Sequence, residues 1–376
     1  MKFIDLFAGI GGFRFGMESV GHECAAFCEI DKFARASYKA IHNTEGELEL
    51  HDITQVTDEE IRNIGHVDVI CGGFPCQAFS IAGHRRGFED TRGTLFFEIA
   101  RFAAILKPKY LFLENVKGLL NHDKGDTFET ILSALDELGY DVEWQVLNSK
   151  DFGVPQNRER VFIIGHLRGE RGRKVFPIGG NGAKIDCEQP KINKVGNIRK
   201  KGKSQSGAVV SVDSLAPTLC STTTQKDPLK ILLAGNLPGT HEQNGRVYDI
   251  NGISPTLNTM QGGGRQPKIR VREATKKGYA EATVGDSVNL AHPNSKTRRG
   301  RVGEGIANTL VTGDSQGVVT PNLRIRKLTP RECWRLQGFP DWAFDKAQEV
   351  NSNSQLYKQA GNSVTVNVIK EIARHL

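Results

Sequence analysis

The chain has 376 residues, 38% hydrophobic and 25% charged, with a formal net charge of +7 and a pI near 9.0. That length buries a large core and favours two domains over one. No run nears the roughly 18 apolar residues of a membrane span, and the opening MKFIDLFAGIGGF has no basic leader segment, so a cytosolic protein is expected.

From the N-terminus, KFIDLF reads as a strand ending in the glycine-rich turn FAGIGGF, with Phe7, Gly9, Gly11 and Gly12. A nicotinamide-type G-x-G-x-x-G beginning at Gly9 needs glycine at 14, where Arg14 stands. The next strand, ECAAFCE, ends at Glu29, where an acid can bind ribose hydroxyls. Cys24 and Cys28 lie in its apolar run without a second cysteine pair, so no metal is expected. LELHDI follows, closing on Asp52 and Ile53, a polar–apolar pair suited to an adenine amino group and ring face. VDVICGG is the fourth strand, and GGFPCQAFS presents Cys76 directly after a proline instead of within the apolar run, as Cys71 is. TLFFEIARFAAILK and TFETILSALDELG have apolar residues at helical spacing and flank KYLFLEN, which carries Glu114. VEWQVLN, the segment PQNRER with Arg158 and Arg160, and RVFIIGH complete the pattern. This alternation over residues 1–176 predicts a doubly wound, mainly parallel α/β sheet.

Between 177 and 325 the texture turns to glycine, asparagine, threonine and basic residues, predicting a smaller, irregular β-rich domain. SLAPTL, GISPTL and GIANTL, with Thr218, Thr256 and Thr309, read as three related hairpin-like units. The basic clusters RGERGRK, IRKKGK, KTRRGR and RIRK favour a polyanionic partner. Residues 326–354 form a helical hinge, with Thr329 and Pro330 as N-cap and first helical residue. Residues 355–376, including NSVTVNVIKEIARHL, close the chain as a helix returning to the first domain.

Ligands of open α/β sheets bind beyond the carboxyl ends of the strands. There this chain offers a nucleoside site beside a thiol, a carboxylic acid and an arginine. That set suits attack on an electron-poor ring: thiolate adds, acid protonates, guanidinium holds an exocyclic oxygen. Pro75 and the glycines before it preset a loop open to close approach.

DLFAGIGGF, EID, DIT, GGFPCQAFS, RGTLFFE, FLENV, QNRERVFIIG, RECWRLQGFP and QAGNSV, in that order, resemble the DNA (cytosine-5)-methyltransferases of bacterial and phage type. The resemblance implies S-adenosylmethionine as cofactor and methylation of cytosine carbon 5 in a specific double-stranded DNA sequence. It implies a flipped base and a covalent bond from Cys76 to carbon 6, with Glu114 at N3, Arg160 at O2 and Arg158 in support. It also implies that Phe7, Gly9, Gly11, Glu29, Ile30, Asp52, Ile53, Leu95, Asn362 and Ser363 line the cofactor site. Ile30 stands where some members have an aromatic over the adenine. Gln77, Ser80, Thr256, Leu257, Gly263, Gly264, Arg265 and Thr309 are the candidates for contact with DNA. Position shortly before RKLTPRE favours the third repeat, the glycines and Arg265 favour the second, on which the choice falls, and the three repeats reading different sites is the alternative. A monomer without an obligate protein partner, serving restriction–modification or phage protection, is the expectation. A tRNA cytosine methyltransferase is disfavoured by the absence of Cys-Phe-Thr, and an inactive DNA-binding regulator by the intact Cys76, Glu114 and Arg160.

Overall fold

Strand β1 (Lys2–Leu6) is buried at four of five positions and alternates Phe3 to one face of a sheet with Ile4 and Leu6 to the other. Such two-sided apolarity marks a parallel strand covered on both faces. In the computed structural model β1 is followed by α1 (Gly12–Glu18), β2 (Glu23–Cys28), α2 (Lys32–Ile41), β3 (Leu48–Leu50), α3 (Asp58–Asn63) and β4 (Val69–Gly73). Then come α4 (Leu95–Leu106), β5 (Tyr110–Val116), α5 (Asp126–Glu137), β6 (Tyr140–Asn148) and β7 (Glu159–Leu167). The structure describes residues 1–75, 95–170, 173–179 and 268–376 except 292–294, 296, 314 and 322–323, together with four short strands between 194 and 248.

All seven of these strands join one sheet in the order β3-β2-β1-β4-β5-β7-β6. β1 to β5 are parallel neighbours, whereas β7 runs antiparallel to both β5 and β6. The mainly parallel α/β sheet expected from the alternating pattern is therefore present. One face packs Ile4, Ile70 and Leu113 under Phe96, Ile99 and Phe102 of α4 and Ile131 of α5. The other face packs Phe3, Cys71 and Phe112 under Phe13 and Met17 of α1.

Four strands fall between 194 and 248: β8 (Lys194–Asn197), β9 (Ala208–Val210), β10 (Leu233–Asn236) and β11 (Arg246–Tyr248). β12 (Lys268–Arg272), β13 (Tyr279–Ala282), β14 (Ser287–Asn289), β15 (Val302–Gly303), β16 (Gln316–Val319) and β17 (Ile325–Lys327) follow. They form small sheets β8-β9, β10-β11-β12-β13 and β15-β14-β16-β17. By compactness, residues 1–180 and 231–376 make one unit and residues 181–230 another.

The chain ends in α6 (Pro330–Leu336), α7 (Asp341–Val350), α8 (Asn353–Asn362) and α9 (Val366–Ala373). Thr329 caps α6 with its hydroxyl on the Glu332 amide while the Glu332 carboxylate returns to Thr329, a capping box with Pro330 at the first helical position. Trp334, Phe339, Phe344 and Leu356 of this helical group share a core with Ile10 and Ile41. Ile369 and Ile372 of α9 lie over α1. The two helices approach so closely that a Cβ on Gly16 would meet Ile369 Cγ2 at 2.5 Å.

Candidate active site at the carboxyl edge of the sheet

Successive strand ends open into one cavity of about 450 Å³, within the usual range for small-molecule sites. Phe7 and Gly9 line it after β1, Glu29 and Ile30 after β2, and Asp52 and Ile53 after β3. Leu95 at the start of α4 and Asn362 at the end of α8 complete this end. At the other end are Gly73 to Pro75, Glu114, Arg158 and Arg160. Two of the expected cofactor residues stand apart from the lining. Gly11 faces His42, whose Nε2 would clash with an added Cβ, and the Ser363 hydroxyl packs on Gly12.

The glycine turn is bent by positive φ at Phe7 (55°), Gly9 (57°) and Gly11 (82°), conformations that glycine adopts without steric cost. Glu29 ties this turn to the next loop: one carboxylate oxygen accepts the Gly9 amide at 2.8 Å and the other the Asp31 amide at 2.7 Å. Burial raises the Glu29 pKa above the ordinary carboxylate range, against the opposing pull of these two amides. Asp52 turns its own loop by accepting the Thr54 amide at 3.0 Å and hydroxyl at 2.8 Å on Oδ1. Ile30, 66% exposed, forms the rim of the cavity and not its floor.

At this second end Glu114 is 8% exposed, and Arg160 Nε lies 2.9 Å from its Oε1. The N–H is not directed along that line, so Oε1 remains without a hydrogen bond. The contact is ionic. Burial raises the Glu114 pKa, while Arg160 and then Arg158 pull it down less strongly. Arg158 is buried and lies across the chain: it donates to the carbonyls of Leu310 at 3.2 Å, Gly361 at 3.1 Å and Ser363 at 2.7 Å. Desolvation, with the nearby charge of Arg160, lowers its pKa, yet the three carbonyls favour the guanidinium as a cation.

Three residues absent from the sequence expectations shape the same place. Asn115 Nδ2 donates to the Phe74 carbonyl at 2.8 Å and so holds the Phe-Pro step that leads to position 76. Gln156 Oε1 accepts the Leu310 amide at 3.0 Å, and the Thr309 hydroxyl donates to the Asn157 carbonyl at 2.7 Å. Lys358 pairs with Asp31 at 2.6 Å beside the cavity. Asn115 and Gln156 sit within FLENV and PQNRER, so position close to an expected site residue was the available signal. Lys358 had none, because its partner is more than 300 residues away. Cys76, Gln77, Ser80, Thr256, Leu257, Gly263, Gly264 and Arg265 lie outside the described residues. Among the described residues no cluster of His, Cys, Asp and Glu could hold a metal ion.

The profile of the C-5 cytosine-specific DNA methylase family matches residues 1–376, the full chain. The chain belongs to this family. It is 36% identical to the orphan methyltransferase M.SPRI of Bacillus phage SPR, over 100% of this chain and 97% of that protein. It is 35% identical to the type II methyltransferase M.HhaI of Haemophilus parahaemolyticus, over 100% of this chain and 94% of that protein. Among solved structures, the Dnmt2 methyltransferase of S. pombe shares the fold with a TM-score of 0.52 at 18% identity, over 99% of this chain and 96% of that one. The enzyme class is thus DNA (cytosine-5) methyltransferase.

Proposed function

We propose that this methyltransferase binds S-adenosylmethionine in the cavity at the strand ends and methylates a cytosine flipped from double-stranded DNA, through a covalent bond to Cys76. The observation that carries the reading is the convergence of Glu29, Asp52, Glu114 and Arg160 on one cavity, at the place where α/β sheets bind ligands. The donor set fits the cofactor: Glu29 suits ribose hydroxyls, Asp52 and Ile53 an adenine, and the bent Gly9 leaves open space where a Cβ would stand. When bound, S-adenosylmethionine supplies an electrophilic methyl group on a sulfonium centre.

Carbon 5 of cytosine is a weak nucleophile, which the residues of this chain would correct. The Cys76 thiolate adds to carbon 6, forming an S–C bond, as Glu114 delivers a proton to N3. Carbon 5 becomes electron-rich. Arg160 fixes the ring through O2 and, beside Glu114, keeps the acid in place. After carbon 5 has gained the methyl group and lost its proton to water, the thiolate leaves from carbon 6 as N3 returns its proton to the Glu114 carboxylate, and the ring regains aromaticity. A base within the duplex is beyond reach, so the target nucleotide must be extruded.

Residues 177–325 would read the DNA, with phosphates on the basic clusters and bases at Thr256, Leu257, Gly263, Gly264 and Arg265. Leu310 is buried and the Thr309 hydroxyl is held by Asn157, which supports the second repeat over the third as reader. A phage-protective or restriction–modification role follows the relatives M.SPRI and M.HhaI. The chain would act as a monomer.

DNA with 5-fluorocytosine at the target tests the mechanism, since fluorine cannot leave as a cation. The wild-type protein should be trapped on it at Cys76, and Cys76→Ser should neither be trapped nor methylate. Trapping through another cysteine, or turnover by the serine variant, overturns the assignment.

A further inference from the structure

The loops after β2 and β3 bring Glu29, Ile30, Asp52 and Ile53 into the cavity, and each loop is held by one arginine that does not itself line it. Arg35 of α2 donates through Nη1 to the carbonyls of Glu29 and Ile30, both at 2.8 Å. Arg101 of α4 donates through Nη2 to the carbonyls of Ile53 at 3.2 Å and Val56 at 2.8 Å. The Arg101 fork is aimed by Glu98, at 2.9 Å from Nε and 2.7 Å from Nη2, and by Asp58, at 2.8 Å from Nη1. Asp58 is 53% exposed on its side chain, so this pair adds little to stability and serves mainly as an orienting contact. A planar guanidinium can reach two carbonyls and two acids together, and an ammonium cannot.

These contacts fix the backbone of the two loops before any ligand arrives. A loop free to turn its carbonyls to water would lose conformational freedom on binding, and that loss weakens affinity. We propose that Arg35 and Arg101 are positioning residues for cofactor binding, Arg35 acting through Glu29 and Ile30 and Arg101 through Asp52 and Ile53. The inference rests on the reading of this cavity as the S-adenosylmethionine site.

A double-mutant cycle on the full chain tests it, with the Kd of S-adenosylhomocysteine read by calorimetry and the folded state checked by circular dichroism. Arg101→Lys should raise Kd about tenfold, the scale of one or two lost charge-assisted hydrogen bonds, and leave DNA affinity unchanged. Asp52→Ala should also raise Kd, and Arg101→Lys added to Asp52→Ala should raise it clearly less than it does alone, because the arginine acts in part through that side chain. Arg35→Lys should behave likewise against Glu29→Gln. Unchanged affinity in Arg101→Lys, or additive effects in the double variant, overturns the inference while leaving the cofactor reading intact. If Asp52→Ala and Glu29→Gln leave Kd unchanged, the cofactor reading fails and takes the inference with it. Should Arg101→Lys not fold, the exposed Asp58→Asn carries the same test: a rise of about two- to threefold that Asp52→Ala diminishes supports positioning, and no rise, or a rise undiminished by Asp52→Ala, overturns it.

Discussion

Glu114 illustrates how one side chain can face two demands. Burial favours its acid form, and Arg160 favours the carboxylate; burial is the larger effect, so the pKa is raised. The proton therefore persists to a higher pH than on an ordinary glutamate, and is lost as pH rises through the raised value. A rate that needs this proton should fall on the alkaline side. Glu114→Gln should lower kcat by at least about 100-fold, the low end for a lost general acid, and abolish that alkaline fall. A pH profile of single-turnover methylation checks both. His42 is buried beside Arg14, and the cost of burying its cation, with the repulsion from Arg14, depresses its pKa to about 3. Between the ordinary value near 6.5 and that depressed value, the unfolded chain binds a proton at this site that the native protein does not. Its contribution to stability is therefore lost as pH falls through that window, by at most about 1.4 kcal/mol per pH unit. Urea unfolding of the wild type and His42→Gln from pH 6.5 to pH 4 should show a shallower decline in the variant.

Among the elements, the contact of α1 with α9 is a close test of sequence choice. A methyl group at Gly16 would lie 2.5 Å from Ile369 Cγ2 and 2.9 Å from the Lys370 amide nitrogen, which cannot move aside as a side chain can. Alanine gains about 1 kcal/mol over glycine in helix propensity, but overpacking costs about 1–3 kcal/mol. Gly16→Ala should therefore be neutral to destabilising by up to about 2 kcal/mol, read from the urea midpoint. That close approach was not legible in GFRFGME, because Gly16 there looks like a weak helix residue and its partner is some 350 positions away. What was legible is local. The apolar runs of β1, β4 and β5 name buried parallel strands, and Thr329 and Pro330 name the start of α6. The strand-end carboxylates were readable for the same reason, since an acid just past an apolar run lands at the sheet edge. Lys358 and the Arg158 carbonyl partners were not, because main-chain acceptors carry no sequence signature.

For the whole molecule, Arg158 joins segments that lie far apart in the chain. It connects the start of β7 to Leu310 of the third repeat, to Gly361 in the last turn of α8 and to Ser363 just beyond it. Arg158→Met keeps most of the side-chain length and removes every donor, leaving three carbonyls without their partner. The expected loss is roughly 3 kcal/mol or more, measured by urea unfolding. The same long-range architecture has a consequence on the ribosome. Phe13 and Met17 on α1 are covered by Ile369 and Ile372 of α9, which is translated roughly 350 residues later, on the order of 20–70 s at ordinary elongation rates. Throughout that interval the amino-terminal helix lacks the cover of α9 on its apolar face. A nascent or interrupted polypeptide of this kind is a client for chaperones and proteases, and native closure must wait until the last helix has left the exit tunnel.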